Sequence, residues 1–259
     1  MNHNYKNKKL YAFDVDGTLT ESRQKISYEN GAALIKLLFN SKVAIITGGS
    51  FERIKEQILD PLEKIAQKTD CDLRLENLIL LPTNGGGLFM YDKHWKEKTS
   101  HKLKISDKNK ITEAIQKIDR ADPELANNTP YGDEIQDRGS EITYSALGDK
   151  APLDLKKNWD PDFKKRLKIQ AELKDRLPNF EVKIGGTTSI DITPKGMDKA
   201  FAIKQAMQEF DLNKNDILFF GDAVYPNGND FPVAQLGVQT IRVSSTSETG
   251  KIIQNIIAN

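Results

Sequence analysis

Short apolar runs that break off into polar or glycine-rich residues constrain this chain more than any other feature. Residues 10–13 run into DVDGT, 43–46 into TGGS, 78–81 into PTNGG and 217–220 into GD, and a further run, 238–243, follows Gly237. Runs of this length suit strands buried on both faces of a parallel sheet. Helical spacing lies between them: Ile203, Met207 and Phe210 stand 4 and 3 apart, and Ile252, Ile253, Ile256 and Ile257 form a second apolar stripe. The alternation predicts a doubly wound, Rossmann-like α/β fold, which binds ligands at the carboxyl ends of its strands. The polar loops named above fall at those ends.

The middle of the chain has a different period. Ile142 and Tyr144 alternate with Glu141, Thr143 and Ser145, and Phe180, Val182 and Ile184 alternate with Glu181 and Lys183. That is the half-buried pattern of antiparallel strands. Charged helical stretches lie near Lys108 to Arg120 and Phe163 to Leu177, and glycine clusters at 85–87 and 185–186 bracket the region as candidate hinges. A length of 259 residues accommodates one large domain or two. The expected division is a core of residues 1–85 and 188–259 with an α+β domain, 86–187, inserted.

Composition excludes several classes. Hydrophobic residues at 38% and charged ones at 29% describe a globular rather than a disordered chain. Basic and acidic side chains nearly cancel, 38 against 37, which argues against a broad nucleic-acid-binding surface. The single cysteine, Cys71, excludes an internal disulfide and a four-cysteine zinc site. No run approaches the roughly 18 apolar residues of a membrane span. The start, MNHNYKNKK, leads into YAFDVDG without an apolar signal core. A cytoplasmic enzyme without nucleic-acid or membrane partners is expected.

The sharpest motif is DVDGTLT at residues 14–20. Residues two apart in an extended segment share a side, so Asp14 and Asp16 can flank one reacting group before Gly17 turns the chain. One carboxylate can attack phosphorus, while a second protonates the leaving oxygen and later deprotonates the incoming nucleophile. Attack on an anionic group calls for a cation, and Mg²⁺ suits an oxygen-only site. As a calcium-binding EF-hand loop the stretch fails, because Thr18 and Leu19 stand where an oxygen ligand and glycine are required. A turn cap is the plainer alternative. Thr47-Gly48-Gly49-Ser50 follows a strand and can grip phosphate oxygens with a hydroxyl and backbone N–H groups, or simply cap a helix. Either Thr47 or Ser50 can supply the hydroxyl. Gly221-Asp222 and Asn227-Gly228-Asn229-Asp230 place carboxylates where a metal could sit, although PNGND alone would be a turn.

FDVDGTLT resembles the first motif of the haloacid dehalogenase superfamily of phosphotransferases, and the other motifs follow in that family's order. The resemblance implies Asp14 as nucleophile and Asp16 as general acid/base. It also implies Lys199, rather than Lys195, as the lysine that neutralises the phosphoryl group. Mg²⁺ would be held by Asp14, the backbone oxygen of Asp16, Asp222 and, next, Asp230. An insertion between the second and third motifs is similar to the superfamily's type IIB caps. FDVDGTLTESRQKIS, GGSFERIKEQI, IGGTTSIDITPKGMDKAF and FFGDAVYPNGNDF look most like the α-phosphomannomutases of eukaryotic type. That likeness implies sugar-phosphate contacts from Arg23, Arg138, Ser189 and Asp191, and a homodimer through the caps.

The chain departs from that pattern where the mutases carry two further cap arginines. Asp149 stands in place of the first, after Gly148, and only Lys150, Lys156 and Lys157 lie near the second. Lysine pairs with phosphate as a point charge and lacks the planar fork of arginine. A mutase must retain a bisphosphate, whereas a phosphatase needs one phosphate and a water. The expectation is therefore a Mg²⁺-dependent phosphatase acting on a hexose phosphate or similar small phosphometabolite. The alternative is a phosphomannomutase activated by a hexose bisphosphate, and the remote one a non-catalytic sugar-phosphate sensor.

Overall fold

A computed structural model describes residues 5–126, 129–226 and 228–258. The chain divides into two compact units, Met1–Ser100 with Asp198–Asn259, and His101–Met197.

The first unit is built on a sheet that has seven strands among the described residues. In chain order its elements are β1 (Leu10–Phe13), α1 (Tyr28–Asn40), β2 (Lys42–Ile46), α2 (Phe51–Ile54), a π turn (Lys55–Leu59), α3 (Asp60–Thr69), β3 (Leu78–Leu81) and the hairpin β4 (Gly87–Asp92) and β5 (His94–Ser100). The returning segment adds α8 (Lys199–Glu209), β10 (Ile217–Gly221), α9 (Phe231–Gln235), β11 (Gln239–Arg242) and α10 (Thr246–Ile257). The strand order is β11-β10-β1-β2-β3-β4-β5, with β11 through β3 parallel and the hairpin antiparallel. The parallel strands bury alternate residues in two separate cores. Tyr11, Phe13, Val43, Ile45, Leu218 and Phe220 pack with residues of α1, α3 and α10. Leu10, Ala12, Ala44, Ile46, Ile217 and Phe219 pack with Ala202, Ile203 and Ala206 of α8. Helices therefore cover both faces, and this is why these strands read as unbroken apolar runs. The strand order reverses at β1, whose neighbours are β10 and β2. In such sheets the reversal opens a crevice at the carboxyl ends.

The second unit contains α4 (Ile105–Ala121), α5 (Pro123–Ala126), β6 (Ile135–Asp137), β7 (Ile142–Ser145), α6 (Leu153–Trp159), α7 (Lys164–Arg176), β8 (Phe180–Ile184) and β9 (Ser189–Pro194). Its antiparallel sheet has the order β6-β7-β9-β8. Ile142, Tyr144, Val182, Ile190 and Ile192 pack with Ile111, Ile115 and Ile118 of α4 and Ile169 and Leu173 of α7. The opposite set, Gln136, Thr143 and Asp191, falls in register across three strands.

Two expectations are corrected. The boundaries move from 86 and 187 to 100/101 and 197/198. β4 continues the core sheet through Ile79↔Met90 and Leu80↔Phe89, while β9 pairs with both β7 and β8. Nor do the glycine clusters mark the crossings between units. Gly85 takes φ +89° and its missing Cβ would stand 2.9 Å from Ala202 Cα, inside the first unit. Gly185 and Gly186 form the turn between β8 and β9.

Candidate active site

β1 ends at Phe13, and Asp14 follows with its N–H donated to Phe220 O at 3.0 Å. The chain then folds tightly on itself: Val15 O accepts from the N–H groups of Thr18, Leu19 and Thr20, and Gly17 N–H donates to Thr20 O at 2.7 Å. Gly17 makes this possible with φ +84°, and a Cβ there would meet Asp222 Oδ2 at 2.7 Å. The glycine thus serves both a left-handed turn and a close approach. It brings the carboxylate after β10 against the loop after β1.

Lys199 opens α8, whose N-cap, Asp198, accepts from Phe201 N–H at 2.9 Å. Its Nζ lies 2.7 Å from Asp14 Oδ1 and 2.6 Å from Asp230 Oδ1, and all three side chains are buried. Asp230 Oδ2 accepts from Ala223 N–H at 2.9 Å. Gly221 leaves the room for that carboxylate, which a Cβ would strike. Burial, opposed by Lys199 and reinforced by Asp230, pushes the Asp14 carboxyl up to about 6. Burial pulls Lys199 down, but Asp14 and Asp230 more than offset it and the ammonium is held above its ordinary value. One lysine cannot neutralise two carboxylates, so the cluster keeps excess negative charge.

Asp14, Asp222 and Asp230 each offer an oxygen, all within 4.8 Å of one another. Three carboxylates against one buried lysine, with no nitrogen or sulfur donor among them, fit a hard divalent cation. Asp230 has one hydrogen bond at each oxygen and keeps a second lone pair on each. Asn227 of the fourth motif lies outside the described residues.

The Asp16 side chain is held separately. Its Oδ1 accepts from Arg23 N–H at 2.6 Å and from Gln57 Nε2 at 3.1 Å. Arg23 itself takes φ +60°, with an exposed side chain that makes no ion pair among the described residues. The Thr47–Ser50 loop follows β2, the strand beside β1, and is tied to the loop after β3 by Thr83 N–H to Gly49 O (2.9 Å) and Asn84 N–H to Thr47 O (2.8 Å). Buried Thr47 accepts from Gly49 N–H at 3.1 Å. Ser50 caps α2, accepting from Arg53 N–H at 3.3 Å. Each hydroxyl keeps its own proton to donate.

Arg138, Ser189 and Asp191 belong to the second unit, where Arg138 and Asp191 join one polar network. Arg138 donates to Glu141 Oε1 at 3.1 Å and to Gln136 Oε1 at 3.2 Å. Thr143 Oγ1 lies 2.8 Å from Asp191 Oδ1 and 3.2 Å from Glu141 Oε1. A hydroxyl has one proton, so Thr143 can donate to only one of the two carboxylates at a time. Burial, together with the nearby Asp191 charge, pushes Glu141 up to about 7. Ser189 Oγ accepts from Gly186 N–H at 2.8 Å. Asp149 holds its own loop, accepting from Asp133 N–H at 2.9 Å and Gln136 Nε2 at 3.1 Å. Lys156 Nζ donates to Asp149 O at 2.7 Å. The sequence reading missed Gln57, Glu141 and Thr143. Glu141 and Thr143 sat in view on an alternating strand beside Arg138. For Gln57, in a helix-period stretch, no local signal existed.

Paired aspartates after the first strand, a lysine opening a later helix and acidic residues after β10, on a doubly wound sheet, define a phosphotransferase. The chain belongs to the haloacid dehalogenase-like hydrolases, whose family profile matches residues 11–232. It is 28% identical over 254 residues to a probable phosphomannomutase of Caenorhabditis elegans, covering 96% of this chain and 95% of that protein. It is 27% identical over 236 residues to phosphomannomutase 1 of Homo sapiens, covering 88% and 84%. Among solved structures, a haloacid dehalogenase-like hydrolase from Bacteroides thetaiotaomicron matches at TM-score 0.60 and 16% identity, covering 96% and 99%. An N-terminally truncated, IMP-bound IMP-nucleotidase of Plasmodium falciparum matches at TM-score 0.67 and 16% identity, covering 98% and 69%. These two show a shared fold. No helix among the described residues is long and apolar enough to cross a membrane.

Proposed function

We propose that this protein moves the phosphoryl group of a hexose phosphate through an aspartyl phosphate on Asp14 and returns it to a sugar hydroxyl, as a phosphomannomutase does. The observation that carries the reading is the likeness to proteins named phosphomannomutase along nearly the whole chain, 28% identity over 96% of its length, with the Asp14–Lys199–Asp230 cluster assembled at the strand ends. The sequence alone favoured hydrolysis; the relatives move the weight to mutase chemistry.

In this scheme the Asp14 carboxylate attacks phosphorus while Asp16 protonates the departing sugar oxygen; Asp16 then takes the proton of the incoming hydroxyl. Lys199 and the Thr47–Ser50 loop balance charge on the transferred group. Mg²⁺, held by Asp14, Asp222, Asp230 and the backbone oxygen of Asp16, would supply charge neutralisation and in-line alignment. Arg23, Arg138, Ser189 and Asp191 would bind the sugar phosphate. A cytoplasmic location and a homodimer through the second unit go with this reading.

Hydrolysis of a sugar phosphate is the second reading, and a specific observation favours it. Asp149 occupies an arginine position of the mutases and is committed to its own loop, and the Arg138 guanidinium is committed to Glu141 and Gln136. Both weaken the grip on a second phosphate. Parallel assays of isomerisation and phosphate release decide between the two, on mannose and glucose monophosphates with and without glucose 1,6-bisphosphate. Bisphosphate-dependent isomerisation supports the mutase. Steady phosphate release without isomerisation overturns it in favour of the phosphatase.

A further inference from the structure

The Asp16 carboxylate is not held by its own motif alone. Its Oδ1 accepts from Arg23 N–H at 2.6 Å and from the Gln57 side-chain amide at 3.1 Å. The same Gln57 nitrogen donates to Gln24 O at 3.1 Å, so both amide protons are committed. The Gln57 backbone carbonyl accepts from Ile26 N–H at 2.8 Å. Gln57 thereby fastens the 23–26 loop and the Asp16 carboxylate to one helical turn.

That turn is the π turn, Lys55–Leu59, closed by Asp60 N–H to Lys55 O. Gln57, Ile58 and Leu59 are consecutive and all buried. Within this turn Ile58 and Leu59 anchor in the core while the Gln57 amide reaches Asp16. Single π turns recur at functional sites.

We infer that Gln57 is a positioning residue for proton transfer by Asp16. With Arg23 N–H it fixes Oδ1 as an acceptor, which leaves Oδ2 to carry the proton. As the bond from Asp14 to phosphorus forms and the phosphorus–oxygen bond of the ester breaks, that proton passes from Oδ2 to the departing oxygen. The inference rests on the acid/base role proposed for Asp16.

The leaving group separates this role from a structural one. A sugar alkoxide needs the proton, whereas p-nitrophenolate departs without it. Rapid-quench measurement of enzyme phosphorylation in single turnover is made with mannose 6-phosphate and with p-nitrophenyl phosphate. Gln57→Met is expected to slow the reaction with mannose 6-phosphate about 10- to 100-fold, a share of what general acid catalysis typically supplies, and the aryl ester by less than about threefold. Gln57→Leu, which has an apolar side chain of similar bulk and offers no donor, is expected to show the same selectivity should Gln57→Met fail to fold. Equal losses on both esters, or no loss on either, overturn the inference. Asp16→Asn runs in parallel: an alkyl-selective loss there with none in the Gln57 variants refutes Gln57 alone, and no such loss in Asp16→Asn refutes the acid/base reading with it.

Discussion

Lys199 and Asp14 form a buried ion pair, Nζ to Oδ1 2.7 Å, in which the lysine is shared with Asp230 at 2.6 Å. Removing the lysine would leave two buried carboxylates facing each other. Lys199→Met in metal-free buffer is expected to lower unfolding free energy by about 3–5 kcal/mol, the usual result of stranding a buried charge. Lys199→Arg is not expected to restore it, because a planar guanidinium does not fit a site built around a compact ammonium. Urea unfolding of the three proteins is the check.

Gly17→Ala tests the approach of the two strand-end loops. A Cβ at φ +84° would stand 2.7 Å from Asp222 Oδ2, so either the turn or the carboxylate must move. The left-handed conformation alone costs about 1–2 kcal/mol for a side chain. The variant should unfold earlier and need more Mg²⁺ for half-maximal turnover. A fall in stability with no change in Mg²⁺ requirement would separate the turn from the metal site.

Glu141 makes the second unit sensitive to pH. Its carboxyl moves from an ordinary value of 4.5 to about 7 in the folded chain, driven first by burial and then by Asp191. Between those values the native state binds more protons than the unfolded state, so stability falls as pH rises through that window. The drop is on the order of 1–3 kcal/mol. Glu141→Gln should flatten the slope, read as the difference in denaturation midpoint between the two proteins at pH 5 and pH 8. An unchanged slope would place the sensitivity elsewhere.

Asp149→Ala removes the acceptor for Asp133 N–H and the Gln136 amide. A cost of about 0.5–1.5 kcal/mol is expected, the net worth of hydrogen bonds whose donors water can still reach. Phosphorylation of Asp14 by p-nitrophenyl phosphate should be unchanged, because the residue serves its loop. A slower reaction in a fully folded variant would bring Asp149 into the site.

The parts of this structure that the sequence revealed are those with a period or a motif. Apolar runs marked β1, β2, β3 and β10 because helices bury both of their faces, and the alternation at Ile142 and Tyr144 marked β7 because only one face packs on helices. The hairpin β4–β5 was hidden: its second strand, HWKEKTS, is largely exposed and carries too little apolar patterning to announce that it extends the core sheet. Lys199 could be chosen over Lys195 by resemblance alone, and its burial between two carboxylates supplies the physical reason. Gln57 was illegible because the π turn that aims it depends on the register of one backbone hydrogen bond.

Asp14 is the residue expected to carry the phosphoryl group. Acid quench of the enzyme reacting with p-nitrophenyl phosphate or mannose 6-phosphate, followed by peptide mass analysis, reads this out. The peptide containing Asp14 is expected to gain the mass of one phosphoryl group, labile to hydroxylamine, with no gain and no turnover in Asp14→Asn. Turnover that persists in Asp14→Asn, or a label on any other residue, would rule out Asp14 as the phosphoryl carrier.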